Sequence, residues 1–135
     1  MKVIGFDGWT QGAHHYERLI ESFKKNDIEL ILIHQGSFGN EVGRKKEEYI
    51  GDLLVRDISY YGEKSFLEIL TYENPSAVIF LSTDSFVHRA FNRYCIELNI
   101  PTINLTHGML TVLDVDSTAL HKVNIISFIK EDFVP

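Results

Sequence analysis

Residues 28–34 read Ile-Glu-Leu-Ile-Leu-Ile-His, nearly all aliphatic over the length of one strand. A strand apolar at both parities has to be buried on both faces, which a parallel sheet with helices above and below provides. Two more short apolar runs, Lys2-Val3-Ile4-Gly5-Phe6 and Ala77-Val78-Ile79-Phe80-Leu81, have strand length. Helical patterns separate these runs. Tyr16, Leu19, Ile20 and Phe23 fall at i, i+3, i+4 and i+7, which gives a helix one apolar stripe. Phe66, Ile69 and Leu70 mark a second helix, stopped by Asn74-Pro75. A third is predicted to bury Phe86, Val87, Ala90, Phe91, Tyr94, Cys95 and Leu98, with His88, Arg89, Asn92 and Arg93 opposite and Asp84 or Ser85 as its N-cap.

Alternating strands and helices connected by right-handed crossovers predict an α/β chain. The expected architecture is a three-layer α/β/α sandwich with a mainly parallel sheet of five to six strands. Residues 53–58, broken by Arg56-Asp57, are expected at a sheet edge, and the charged residues 44–48 as a turn of exposed helix. Residues 100–109 are expected as a short buried fifth strand that brings His107 and Gly108 to its carboxyl end, and residues 123–129 as a sixth. With the common order 3-2-1-4-5, strands one and four are neighbours and a ligand crevice opens between their carboxyl ends. The loops at that crevice are residues 7–15 and 82–85, with Thr106-His107-Gly108 beside them.

The chain's 135 residues suit a single domain. Its formal net charge of −6, with no basic run along one face, argues against a nucleic-acid partner. The single cysteine, Cys95, rules out an intrachain disulfide and is in keeping with the cytoplasm. No apolar run is long enough to cross a bilayer, which leaves peripheral association with a membrane open. Gly5, Gly8 and Gly12 lack the Gly-x-Gly-x-x-Gly spacing of a dinucleotide site, and the Walker pattern is absent, so no nucleotide cofactor is expected in this domain.

Chemistry at the crevice would come from few residues. His14-His15 stands where strand one hands over to its helix, and an imidazole there can act as a general base near neutral pH or donate to a sugar hydroxyl or a phosphate. Successive helical residues point about 100° apart, so at most one of the pair faces the crevice. Ser82, Thr83, Asp84 and Ser85 put three hydroxyls and a carboxylate at a helix amino end, suited to oxygen-rich or anionic ligands and also to simple capping. Asp84 and His107 come from neighbouring strand ends and could pair. Gly12 and Gly108 permit the backbone turns beside these groups. No metal-ligand spacing is present, and His34, His88 and His121 read as structural or surface residues.

Two stretches also carry a resemblance. Gly12-Ala13-His14-His15 followed by Leu19-Ile20-Glu21-Ser22-Phe23, and Ile100-Pro101-Thr102-Ile103-Asn104-Leu105-Thr106-His107-Gly108-Met109, are similar to segments of the amino-terminal domain of GT-B glycosyltransferases that build bacterial surface polysaccharides. Glu73-Asn74-Pro75-Ser76-Ala77-Val78-Ile79 resembles the helix-proline-strand entry to strand four of that domain. The resemblance implies that residues 1–135 are one Rossmann-like domain, the acceptor-binding amino-terminal half of a two-domain enzyme. Its partners would be a saccharide acceptor and a carboxyl-terminal domain holding the nucleotide-sugar donor, at the inner face of the membrane. His14 and Asp84 would be catalytic, and Gly12, His15, Ser82, Thr83, Ser85, His107 and Gly108 substrate-binding. The domain alone would be catalytically incomplete. The residues leave a second reading open, a stand-alone flavodoxin-like or receiver-like binding module without catalytic activity.

Overall fold

The structure, a computed structural model, describes residues 1–7, 12–38, 45–81 and 85–105. Strand β1 (Lys2–Asp7) lies inside a six-stranded sheet of order β3-β4-β2-β1-β5-β6. It pairs in parallel with β2 (Glu29–His34) on one side and β5 (Ala77–Phe80) on the other. Beyond β2 comes β4 (Leu53–Asp57), and beyond β5 comes β6 (Thr102–Asn104), both parallel to their neighbours. The five parallel strands therefore run 3-2-1-4-5 in chain order, as expected, and the direction of progression reverses between β1 and β5. Flavodoxin-like and receiver-like sheets run 2-1-3-4-5, so the architecture of the second reading is not this one.

The pleat divides the core into two layers. Val3, Leu30, Leu32, Leu53, Val55, Ala77 and Ile79 face helix α1 (Ala13–Lys25), whose Tyr16, Leu19, Ile20 and Phe23 are all buried. Ile4, Phe6, Ile31, Ile33, Val78 and Phe80 face helices α2 (Phe66–Glu73) and α3 (Phe86–Glu97). Each large apolar side chain buried this way contributes about 1.5–3 kcal/mol, so these two layers dominate the stability of the fold. Helix α2 starts with a reciprocal capping box between Ser65 and Glu68 and ends at Asn74 in the left-handed conformation (φ +48°), one residue before Pro75.

Three expectations are corrected. Residues 47–50 form an antiparallel strand, β3 (Glu47–Ile50), where a turn of exposed helix was expected. Gly51 at φ +60° lets a two-residue turn fold β3 onto β4, and Arg56 Nε donates across the pair to Glu47 Oε2 at 2.7 Å. As a result β4 is interior, and the charged β3 guards the edge. Second, β6 is not buried: Thr102 and Asn104 are exposed and Ile103 half-buried, because β6 is an edge among the described residues. Third, α3 buries His88, Phe91 and Cys95, while Phe86 is 78% exposed and Leu98 also faces solvent. The buried stripe is rotated because His88 finds polar partners inside, described below. The expected sixth strand at 123–129 lies outside the described residues.

One close approach sets the middle of the sheet. A Cβ on Gly5 would stand 2.3 Å from Tyr16 Cε1, so only a glycine lets the Tyr16 ring lie on β1. The Tyr16 hydroxyl donates to the Ile79 carbonyl (3.2 Å) with that of Phe6 3.4 Å away, and it bridges β1 and β5 below the reversal point. Burial, reinforced by the Asp7 charge, holds its pKa well above the usual tyrosine value. Gly5→Val is expected to force that ring off the sheet and lower stability by about 1–3 kcal/mol, measured by chemical denaturation.

Candidate functional site

The sheet register puts a row of ionisable residues at the carboxyl edge. Asp7 pairs with His34 and His34 with Asp57, so the last residues of β1, β2 and β4 lie side by side. The row divides into two clusters of different character.

At β2 and β4 the cluster is inward. Asp57 is fully buried and its carboxylate accepts from Ser37 N–H (3.0 Å), Ser37 O–H (2.5 Å) and Ser59 N–H (2.9 Å). Burial alone would raise its pKa, but the Ser37 and Ser59 hydrogen bonds prevail and hold the carboxyl below its ordinary 3.8. His34 is also buried, its Nδ1 accepting from Gly36 N–H at 3.0 Å, with Asp57 Oδ1 3.4 Å away. An Nδ1 that accepts carries a lone pair, so its contact with Asp57 is proximity and not a hydrogen bond. This cluster ties the short 3-10 turns Gly36–Phe38 and Ile58–Tyr61 to the sheet.

At β1 and β5, where the strand order reverses, the cluster is open. A Cβ on Gly12 would lie 2.3 Å from Asp7 Oδ2, so the Asp7 carboxylate rests against the amino end of α1 and glycine is what admits it. Gly12 is the N-cap of α1 and no side chain caps that helix. The carboxylate supplies the negative charge that the helix dipole favours there. Across the reversal, the exposed residue Ser85 caps α3: its hydroxyl oxygen accepts from His88 N–H at 3.1 Å. The same oxygen is in short contact with His88 Nδ1. His88 is only 7% exposed, wedged edge-on against Phe6 (5.5 Å between ring centroids) and Phe80 (6.2 Å). Its Nε2 points to Asp7 Oδ1 at 3.7 Å, longer than a hydrogen bond and within reach of an ion pair.

Of the residues expected at the site, Gly12 and Ser85 stand at this cluster, Gly12 against Asp7 and Ser85 on His88. His14 and His15 start α1 with their rings in contact, 3.9 Å between centroids; His14 is exposed and His15 buried. Ser82, Thr83, Asp84, His107 and Gly108 lie outside the described residues, and so does the expected Asp84–His107 pair. His88 and His34 were expected on the surface or in structural roles outside the crevice; both are buried, and His88 belongs to the crevice wall. A sequence signal for His88 existed. Ser85-x-x-His88 occupies the two reciprocal positions of a capping box, with imidazole replacing the usual carboxylate.

Burial pushes the Cys95 thiol up to about 12, which makes it a core residue and not a nucleophile. Among the described residues no three His, Cys, Asp or Glu side chains converge as a metal set. Nor is any helix among them long and apolar enough to cross a membrane. A concavity of about 630 Å³ runs along the outer face of α3 over Phe86, Ala90 and Tyr94, apart from the row of strand ends. No protein-family model and no curated protein matches this chain, so its function has to be argued from the fold and from the groups at this edge.

Proposed function

We propose that this chain is the Rossmann-like, acceptor-binding half of a glycosyltransferase that builds a bacterial surface polysaccharide, working with a second domain that holds the nucleotide-sugar donor. The observation that carries this reading is the Asp7 carboxylate against Gly12. In nucleotide-binding members of this architecture the amino end of the first helix receives a phosphate. Here a fixed negative charge stands in that place and repels an anion. What remains suited to the crevice is a neutral, hydroxyl-rich ligand. A carboxylate, a serine hydroxyl and an imidazole are groups that hydrogen-bond sugar hydroxyls, and Asp7, Ser85 and His88 stand together, with Asp7 against the amino end of α1. The strand order and the sequence resemblance support the same assignment.

Titration of the whole chain by amide NMR separates the possibilities. Neutral oligosaccharides are expected to shift the amides of Gly12, Ser85 and His88, and uridine diphosphate is not. Asp7→Asn should relax the exclusion of the diphosphate by removing the charge at the helix end. Saturable shifts with the diphosphate in the native chain, and none with any saccharide, would overturn the proposal.

A further inference from the structure

We propose that Asp7, His88 and Ser85 form a proton relay that activates the Ser85 hydroxyl. The contacts define its direction. His88 Nδ1 faces Ser85 Oγ and Nε2 faces Asp7 Oδ1. An Nδ1 that accepts the serine proton leaves the ring hydrogen on Nε2, directed at the carboxylate. Among the described residues, Asp7 and Ser85 are the polar groups that meet the imidazole, and Phe6 and Phe80 press apolar rings on it from β1 and β5. The ring is thus held at Nδ1 by Ser85, has the Asp7 carboxylate within ion-pair reach of Nε2, and is flanked by apolar rings. That arrangement orients a base and stabilises the imidazolium that forms when it takes a proton.

Ser85 has the complementary features of an acceptor of charge. The residue is exposed, it lies at the amino end of α3, and its hydroxyl oxygen already receives the His88 N–H. Helix dipole and amide both favour negative charge developing on that oxygen. A mere cap needs no buried imidazole on its far side, and a mere core histidine needs no carboxylate.

The role in transfer rests on the acceptor reading above, whereas the relay itself does not. A saccharide hydroxyl gives its proton to Ser85 Oγ, and the Ser85 proton passes to His88 Nδ1, leaving imidazolium beside Asp7. The freed oxygen forms a bond to the anomeric carbon of a nucleotide-sugar donor as the bond to the leaving nucleoside diphosphate breaks.

A fluorophosphonate tests the relay without any saccharide, because it labels serines whose hydroxyl is activated by a base. The whole chain is expected to gain one adduct, mapped to Ser85 by mass spectrometry. His88→Gln is expected to slow labelling by about 100-fold or more and Asp7→Asn by about 10-fold or more. Asp7→Asn leaves the ring in place, so it carries the test if His88→Gln does not fold by circular dichroism. No adduct at Ser85, or a rate indifferent to Asp7→Asn, overturns the relay. Labelling that proceeds as expected, in a chain to which no saccharide binds, upholds the relay and overturns only its assignment to sugar transfer.

Discussion

Glu73→Ala is expected to lower the stability of this chain by about 3 kcal/mol, at the low end of the cost of breaking a buried ion pair. The Glu73 side chain is 2% exposed and collects three partners: Lys2 Nζ at 2.8 Å, Arg56 Nη1 at 2.9 Å and the Tyr61 hydroxyl at 3.0 Å. These come from β1, β4 and the turn after β4, so one carboxylate fastens the carboxyl end of α2 to the sheet. Alanine leaves two cations and a hydroxyl facing a void. Two features hold the loss near the lower end of the range. Arg56 keeps its bond to Glu47 and its place over the Tyr60 ring, and Lys2 is partly exposed and can rehydrate. Thermal unfolding should show a drop of about 10 °C. A change of less than about 1 kcal/mol would mean that the cations were satisfied by solvent all along, as surface pairs are.

The same residues show why the fold was legible before the site. Tyr16, Leu19, Ile20 and Phe23 declare a helix face whatever lies opposite, and residues 28–34 can only be buried on both sides. Those signals are local. Arg56, by contrast, reads as the mark of an edge strand until Glu73 and Glu47 are brought to it, one from a helix and one from a strand that exists only by pairing. Residues 47–50 have no pattern of their own that outweighs their charges; the turn at Gly51 and the partner β4 make them a strand.

His88 is the same lesson at the crevice. Helical periodicity assigns an imidazole to the wet side, and it is overridden by a carboxylate at the end of β1, remote in sequence, that only the sheet order delivers. Ser85 and Gly12 were found because their signals, a cap and a turn, are local. What Gly12 makes room for was not legible, since the Asp7 side chain that fills the space beside it is a tertiary contact.

Asp57 supplies the other large effect and a pH signature. Asp57→Asn keeps the shape but removes the charge and turns an amide toward groups that donate. Ser37 N–H, Ser37 O–H and Ser59 N–H together demand acceptors, and one amide oxygen cannot serve all three. Hydrogen bonds to a charged group are each worth about 1.5–3 kcal/mol, and with partial relaxation of the two short turns the expected loss is about 2–4 kcal/mol at neutral pH. The carboxyl is held below its ordinary value in the folded chain, so the unfolded chain binds the proton more readily as acid is added. Its contribution is therefore complete above the unfolded pKa of about 3.9 and is lost as pH falls through the lower folded value. Denaturant melts of the two proteins should differ most at neutral pH and converge below about pH 4, because protonation imposes on the native chain part of what the substitution imposes at every pH. A gap that stays constant down to the acid limit would show that Asp57 acts through its shape and not through its charge.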